Sequence, residues 1–457
     1  MKSQRPNVLF ILTDQQRYDA LSCHGPIPIE TPNFDRLASQ GTRFDHAVTP
    51  CPLCVPARLS VLNGQTVSQH GVFINEHSVD KRTKTWGNIL QEDGYTTLAF
   101  GKSHGINKGF QVVPAPYGRS YDHQAGQIPG KQEQLFDWTP ARWPHGRTVV
   151  ESKQPLETFF DVLVAEQVKS SLATLVNSSE PWALHVGLFY PHPPYILPKE
   201  FASLVDPNSI EVPAFDRDEL ETKTKGQRNM HDKYFDLPEE HQRRMIAGYW
   251  GCVALADYCL GLILDELTRL GMDENTFVCA TSDHGDMNGE HGLYTKFSSA
   301  YEGEVRVPLI MRWPKHIPKG KVDNALVSLI DIMPTLLDAT KSSCPETCSG
   351  ISLLPRLQGK EDGEHRAFVT AVTGWVEFPD FRPFGHMIRT RTHKLVYYPN
   401  DTCELYDLVN DPGEKINQWE NPIFREYRNS LQIMLLHDLI NQTAIGHRLP
   451  LNHNEVK

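Results

Sequence analysis

The chain is short of positive charge. Its 45 lysines and arginines are outnumbered by 56 aspartates and glutamates, for a formal net charge of −11. That balance argues against broad nucleic-acid binding. It leaves room for an anionic substrate, because a local cationic pocket fits within an acidic protein. Long apolar runs are missing too, and none approaches a membrane span. The start, Met1 to Pro6, is polar, and the stretch Val8–Leu12 stops at Thr13-Asp14. It has neither a signal-peptide core nor a small-residue cleavage site. The expectation is a cytoplasmic protein with no membrane partner, or a periplasmic or secreted one if a leader was removed. Nine cysteines, an odd number in 457 residues, make no dense framework, so reduced thiols are the default. Cys344 and Cys348 read as part of a surface loop, with pairing or metal binding as the alternative. The sequons at Asn177, Asn400 and Asn441 matter only in a secreted eukaryotic protein. There is no internal repeat and no low-complexity segment.

What remains is a soluble globular composition, 39% hydrophobic and 22% charged. The length suits two domains, or one large α/β domain with an appendix. Strands are expected at Asn7–Thr13, Thr96–Gly101, Trp182–Phe189, Thr276–Ser282 and Pro308–Met311. Helices are expected from Thr31-Pro32 to Gly41, over Asp161–Val176, over Glu239–Leu270 and over Asp331–Thr340. Strands alternating with helices predict an α/β fold, a large mostly parallel mixed sheet flanked by helices. Residues 341–366, punctuated by glycine, proline and cysteine, form a boundary, dividing the chain into 1–360 and 361–457. Beyond it, Phe368–Val372, Gly385–Thr390 and Lys394–Tyr398 read as strands. Leu405–Leu408 leads into a turn at Asp411-Pro412-Gly413, and Phe424–Ile440 is a closing helix. The second part is thus a smaller antiparallel sheet with one helix.

Residues 51–64 read Cys-Pro-Leu-Cys-Val-Pro-Ala-Arg-Leu-Ser-Val-Leu-Asn-Gly. Pro56 at a first helical position is pre-shaped for helix entry. Leu59, Val61 and Leu62 can bury one side of that helix. Cys54 then stands at a helix N-terminus, where orphan N–H groups and the dipole favour negative charge. Arg58, one turn on, adds a guanidinium suited to oxyanions. On this segment alone, a nucleophile facing an anionic substrate and an inert buried cysteine are level readings.

In open α/β sheets, ligands bind beyond the carboxyl ends of the strands. Thr13-Asp14-Gln15-Gln16 ends one expected strand and Ser282-Asp283-His284-Gly285-Asp286 ends another. Either motif alone reads as an Asx turn or a helix cap. Together, Asp14, Gln15, Asp283 and His284 favour a site for calcium, magnesium or manganese, the histidine shifting the balance toward manganese. Lys102 and His104 follow a third strand, His192 a fourth, and Lys296 lies in the loop after Asp283. Each alone reads as a solvated lysine or a structural histidine. With Arg58, their shared placement suggests a pocket for a tetrahedral oxyanion, stabilising charge on a leaving oxygen. His104 or His192 could protonate that oxygen. Asn75 is either a pocket contact or a turn residue. Glu290 and His291 read as supporting or capping groups.

These residues resemble the type I sulfatases of the alkaline phosphatase superfamily. The carrying segments are Asn7–Gln15, Cys54–Arg58 with Leu62 and Gly64, Gly101–His104, Pro191–Tyr195, and Ser282–Lys296. Tyr301-Glu302, Val307–Ile310, Met387–Thr390, Lys394–Tyr397, Glu404–Leu408 and Asp411-Pro412 extend the likeness from about residue 6 to about residue 415. The resemblance implies that Cys54 becomes formylglycine, made by a formylglycine-generating or anaerobic sulfatase-maturating enzyme. Its hydrate would attack sulfur with one hydroxyl and release sulfate through the other. One divalent metal, calcium before manganese or magnesium, would be held by Asp14, Gln15, Asp283 and His284 with residue 54, lowering the pKa of the attacking hydroxyl. Arg58 and Lys102 would orient the hydrate, and His104 would help its elimination. His192 and Lys296 would bind the sulfate and assist departure of the alcohol, with Asn75 as a further substrate contact.

Four positions depart from the family pattern. Gln15 stands where many members have aspartate, and His284 where many have asparagine. Both look like the choline-sulfatase and phosphonate monoester hydrolase branches, which makes a phosphonate monoester or phosphodiester hydrolase the alternative activity. Ala57 replaces a common serine within an intact Cys-x-Pro-x-Arg pattern, and Ser103 replaces a bulky aromatic. The alcohol half of the substrate, a small molecule or a saccharide, would meet segments 105–160 and 205–240. There, Tyr117, Tyr121, Trp138 and Trp143 could stack on a ring. Arg119, Arg142 and Arg147 could take a carboxylate. Each of these reads equally as packing or as a solvated group. Oligomeric state is not legible.

Overall fold

The computed structural model describes residues 5–114, 149–234, 237–296, 299–361, 363–373 and 384–446. Tyr117, Arg119, Tyr121, Trp138, Arg142, Trp143 and Arg147 lie outside them. The strands are β1 (Asn7–Asp14), β2 (Thr42–Val48), β3 (Thr96–Gly101), β4 (Gln111–Val112), β5 (Val149–Ser152), β6 (Trp182–Pro191) and β7 (Tyr195–Pro198). They continue as β8 (Thr276–Ser282), β9 (Arg306–Arg312), β10 (Lys321–Ser328), β11 (Val369–Thr373), β12 (Gly385–Arg389), β13 (His393–Tyr397) and β14 (Glu404–Asp407). Eight form one sheet in the order β10-β2-β9-β8-β1-β6-β3-β4. Its ladders are parallel except those of β9, which runs antiparallel to β2 and β8.

The framing helices are α1 (Pro32–Gln40), α2 (Cys54–Asn63), α3 (Trp86–Glu92), α4 (Phe160–Leu175), α5 (Glu239–Arg269), α6 (Ile332–Thr340) and α7 (Arg425–Gly446). Along β1 the pleat sends Leu9 and Ile11 to a core shared with α1, α4 and α5. Val8, Phe10 and Leu12 go to a second core shared with α2, α3 and α6. A strand covered on both faces must be apolar almost throughout, and every residue of β6 is buried. Helix α5 is long and apolar enough to cross a membrane, against the expectation that no run approaches that length, but 89% of its apolar window is buried here. It is the central helix of the first core.

The strands β11-β12-β13-β14 form an antiparallel sheet. Met387 and Val396 face Val48, Val305 and Leu326 of the large sheet and its margin. Their neighbours Ile388 and Leu395 face Leu431 and Leu435 of α7. A buried ion cluster locks the two parts together. Arg389 forks onto Glu302 at 2.9 and 2.8 Å, and Lys394 bridges Glu302 and Glu414 at 2.8 and 2.7 Å. Removing one partner from such a cluster strands a buried charge, at about 3–5 kcal/mol.

Strands β2 and β10 were not expected, because polar residues interrupt their apolar pattern. The structure gives those residues partners. Arg43 pairs with Asp45 at 2.8 Å, and buried Asp323 receives Nε and Nη2 of Arg356 at 2.9 and 2.7 Å. The closing helix runs past Ile440 to Gly446.

His185 on β6 is a polar residue within an aromatic cluster. It stacks on Phe10 with ring centroids 5.5 Å apart and lies against Trp86 and Phe110. Neither ring nitrogen has a hydrogen-bond partner among the described residues. Burial, with a smaller push from Arg58, lowers its pKa to about 3. The unfolded chain takes up this proton near pH 6.5. The stabilisation is therefore complete above pH 6.5 and is lost as pH falls toward 3, by up to about 1.4 kcal/mol per pH unit. His185→Phe should flatten the acid limb of Tm against pH; an unchanged limb would contradict this assignment.

Candidate active site

Strands β8, β1, β6 and β3 are successive parallel neighbours, so their carboxyl ends share one rim. Asp14 is the last residue of β1, Asp283 follows β8, His192 follows β6, and Lys102 follows β3. Segments far apart in sequence thereby deliver their side chains in a row, at strand spacings of about 4.8 Å. Lys102 crosses close over β6, its N–H donating to Gly187 O at 2.8 Å. The crossing requires two glycines. A Cβ on Gly101 (φ +71°) would lie 2.1 Å from Gly187 O, and one on Gly187 would lie 1.9 Å from Lys102 O.

Helix α2 brings Cys54 to this rim. Cys54 is itself the first helical residue and Pro56 the third, so the helix starts two residues earlier than expected. Proline is still tolerated there, because first-turn N–H groups have no partner inside the helix. Leu53 provides no side-chain cap. Asn75 acts instead, its Oδ1 accepting from Val55 N at 3.0 Å.

The floor is a lattice of charges with almost no exposure. Arg58 donates through Nε to Asp283 Oδ2, through Nη2 to Asp14 Oδ2 and through Nη1 to Lys102 O, each at 2.8 Å. Lys102 Nζ lies 2.7 Å from Asp14 Oδ2. Burial disfavours the Asp14 carboxylate, but Lys102, His192, Arg58 and Lys296 outweigh it and hold its pKa well below the usual range. Asp283 goes the other way: burial and the neighbouring Asp14 raise its pKa against the pull of His284 and Arg58.

With the Oδ2 atoms taken by cations, other donor atoms face a common corner. His284 Nδ1 lies 2.9 Å from Gly285 O, a pure acceptor, so Nδ1 carries the proton. Its Nε2 is left facing Asp14 Oδ1 at 3.9 Å and Asp283 Oδ1 at 3.7 Å. Donor atoms of Asp14, Cys54, Asp283 and His284 all lie within 4.8 Å of one another. Gln15 Oε1 accepts at 3.2 Å from Lys296 Nζ, the same ammonium that lies 2.9 Å from the Cys54 sulfur. The donor chemistry fits one divalent cation, with His284 oriented by its backbone bond as metal-bound histidines are and its Nε2 turned to the side of the Cys54 sulfur.

Cys54 Sγ stands at the edge of this corner. Lys296 Nζ is 2.9 Å away, His284 Nε2 3.2 Å and Asp14 Oδ1 3.8 Å. His104 and His192 act on the charge of the sulfur as well. Burial and Asp14 oppose ionisation of the thiol. Lys296, His284 and His104 outweigh them and hold its pKa well below its ordinary range. His104, His192 and Lys296 are the partly exposed members, so they form the mouth. Burial, then Lys102 and Lys296, lowers the His192 pKa to about 4.

Other residues had no role in the sequence reading. Asp286 accepts from Gln15 Nε2 at 2.5 Å. Thr49 donates to Asp283 O at 2.6 Å. Asp161 accepts from Phe189 N and Tyr190 N at 2.7 and 2.9 Å, behind His192. Asp286 lay in view within the Asp283 motif, whereas Asp161 opens a helix with no motif around it. Part of the 205–240 segment, including Phe215 and His231, lines a cavity of about 490 Å³ with Tyr294, two residues from Lys296. Cys344 and Cys348 are free, in a loop against the end of α2, where Cys348 Sγ meets Gly64 O at 3.5 Å.

A family model described as Sulfatase matches residues 6–342, and one described as N-sulphoglucosamine sulphohydrolase, C-terminal, matches residues 289–442. The chain is 31% identical to a choline-sulfatase of Rhizobium meliloti, over 92% of this chain and 84% of that protein. It is 27% identical to an N-acetylglucosamine-6-O-sulfatase of Bacteroides thetaiotaomicron, over 95% and 86%. The phosphonate monoester hydrolase of Silicibacter pomeroyi has the same fold, with a TM-score of 0.83 over 96% of both chains at 22% identity. The sulfatase family implies a divalent metal and a formylglycine made from cysteine, and the chain brings Cys54 against a group able to hold a metal. By the match along residues 6–342 and the kinship to curated sulfatases, the chain belongs to the sulfatase family, whose members hydrolyse sulfuric esters.

Proposed function

We propose that the protein hydrolyses a sulfate monoester of a saccharide or another small alcohol, with Cys54 converted to formylglycine and calcium in the adjoining donor set. The observation that carries this is the convergence on Cys54. Its sulfur, standing in for the oxygens of the hydrated aldehyde, meets Lys296, His284 and Asp14 at 2.9, 3.2 and 3.8 Å. The Cys54-Val55-Pro56-Ala57-Arg58 pattern supports recognition by a formylglycine-generating or anaerobic maturating enzyme. A saccharide or choline ester is supported by the names of the relatives, an N-acetylglucosamine-6-O-sulfatase and a choline-sulfatase.

The hydrate at residue 54 supplies two hydroxyls, one to attack sulfur and one whose deprotonation releases sulfate. A cation held by Asp14, Gln15, Asp283 and His284 would add Lewis acidity. The oxygen-rich set favours calcium, and the one imidazole keeps manganese as the next choice. Arg58 holds the two carboxylates still and keeps their outer oxygens aimed at the donor corner. Lys296 and Lys102 balance negative charge on the transferred group. His192, at the mouth, serves the departing alkoxide as proton donor once the bound anion offsets the influences, burial and then Lys102 and Lys296, that otherwise lower its pKa to about 4. His104 takes a proton from residue 54 when sulfate leaves.

A phosphonate monoester is the second reading. It is favoured by Gln15 and His284 in the donor set, and it carries the same single negative charge as a sulfate monoester. Charge alone does not separate the two. Turnover of aryl sulfates, sulfated sugars, choline sulfate and phosphonates by formylglycine-verified protein does. Sulfate esters should dominate, and dominant phosphonate cleavage would reverse the order.

Cys54→Ala should abolish turnover while leaving Tm within a few degrees, since Asp14 and Asp283 still face Lys296 when the sulfur is gone. Substantial residual activity would place the nucleophile elsewhere. Stripping the protein with a chelator, checked by elemental analysis, should stop turnover, and added calcium should restore it. Full activity in metal-free protein would contradict the donor-set assignment.

A further inference from the structure

Gln15 has a backbone φ of 70°, which glycine adopts freely and a residue with a side chain seldom does. Each of its polar groups is engaged. Its N–H donates to Asp283 Oδ1 at 3.1 Å, and its carbonyl accepts from Tyr249 OH at 3.2 Å. On the side chain, Oε1 accepts from Lys296 Nζ at 3.2 Å and Nε2 donates to Asp286 Oδ2 at 2.5 Å. The two ends of an amide have nearly the same shape, so their partners decide which end faces a metal. Here two partners agree. An ammonium only donates, so the end at Lys296 is oxygen; the carboxylate at the other end receives the N–H.

Asp286 is itself fixed. It is fully buried. Its Oδ1 accepts from Asn288 N at 2.7 Å, its N–H donates to Gly303 O at 2.9 Å, and its carbonyl accepts from Arg17 Nη1 at 2.8 Å. Beside it, a Cβ on Gly285 would stand 1.9 Å from Gly303 O, so this backbone pair has no freedom to shift. The Arg17 cation reaches the Asp286 carbonyl rather than its carboxylate. The carboxylate thus meets two neutral donors, the Gln15 amide and the Asn288 N–H. An aspartate at position 15 would replace the first with a second negative charge.

We infer that Asp286 is a positioning residue that turns the Gln15 carbonyl oxygen toward the metal corner and makes glutamine, not aspartate, the residue this chain requires at 15. The inference rests on the metal-dependent sulfatase reading and adds a reciprocal constraint between the two residues. It also sets the donor set: Asp14 and Asp283 bring carboxylates, and Gln15 brings a neutral amide oxygen.

The test is calorimetric titration of calcium into the metal-free full chain, with no turnover measured. Asp286→Ala should weaken calcium binding by about 10- to 100-fold, as is usual when the partner of a metal ligand is lost. Asp286→Asn keeps an acceptor oxygen in nearly the same shape and should weaken it less, which guards against a folding defect in the alanine variant. Gln15→Asp should cost affinity beside Asp286 and cost clearly less beside Asn in the Gln15→Asp/Asp286→Asn double variant. Calcium binding by Asp286→Ala within twofold of the parent would overturn the inference. So would an equal effect of Gln15→Asp in both backgrounds. A parent chain that binds no divalent metal would overturn the metal reading and this inference with it, so the two failures are told apart.

Discussion

The Arg58 guanidinium holds the site together. Asp14 and Asp283 end adjacent parallel strands with no exposed surface between them. Two carboxylates so placed repel, and each resists ionisation in a medium of low polarity. Arg58 answers both with one rigid fork, reaching each carboxylate at 2.8 Å and the Lys102 carbonyl with its remaining arm. The fork has a directional consequence. By occupying the Oδ2 atoms, it leaves the Oδ1 atoms to face His284, Gln15 and residue 54. Because Arg58 lies one helical turn after Cys54, the contact also sets the entry of α2, and hence residue 54, against the strand ends. A lysine would keep the charge and lose the geometry.

The surrounding charge explains how an acidic protein serves an anion. Arg58, Lys102 and Lys296 match Asp14, Asp283 and Asp286 one for one within the site, and any metal adds to the positive side. Burial strengthens each of these interactions relative to water. The cationic field that holds the Cys54 thiol well below its ordinary range is the field that would stabilise negative charge on an oxygen there. Selection between sulfate and phosphonate must then come from geometry and donor hardness, which is why the neutral amide at position 15 matters beyond its own bonds.

Much of this was legible in the sequence, for an identifiable reason. A strand buried on both faces is a continuous apolar run, so β1, β6 and β8 announce themselves, and Leu98-Ala99-Phe100 marks β3. The rule that ligands gather at carboxyl ends then points to Asp14, Lys102, His192 and Asp283. Their spatial order is not legible, because it depends on crossovers that no local pattern encodes. Strand β2 is hidden because Arg43 and Asp45 satisfy each other across its surface. Strand β10 is hidden because Asp323 is neutralised by Arg356 from a distant segment. Asn75 and Asp161 work through backbone N–H groups, contacts that residue type alone does not specify. The polar core residue His185 likewise carries no signal of its aromatic surroundings.

The central claim is that the working group at position 54 is an aldehyde hydrate, not a thiol. Peptide mass spectrometry across residues 51–64, on active protein purified from its native host, tests it most directly. The account predicts the mass of formylglycine at position 54, with turnover scaling with the converted fraction. A fully active preparation with an unmodified Cys54 thiol would contradict it.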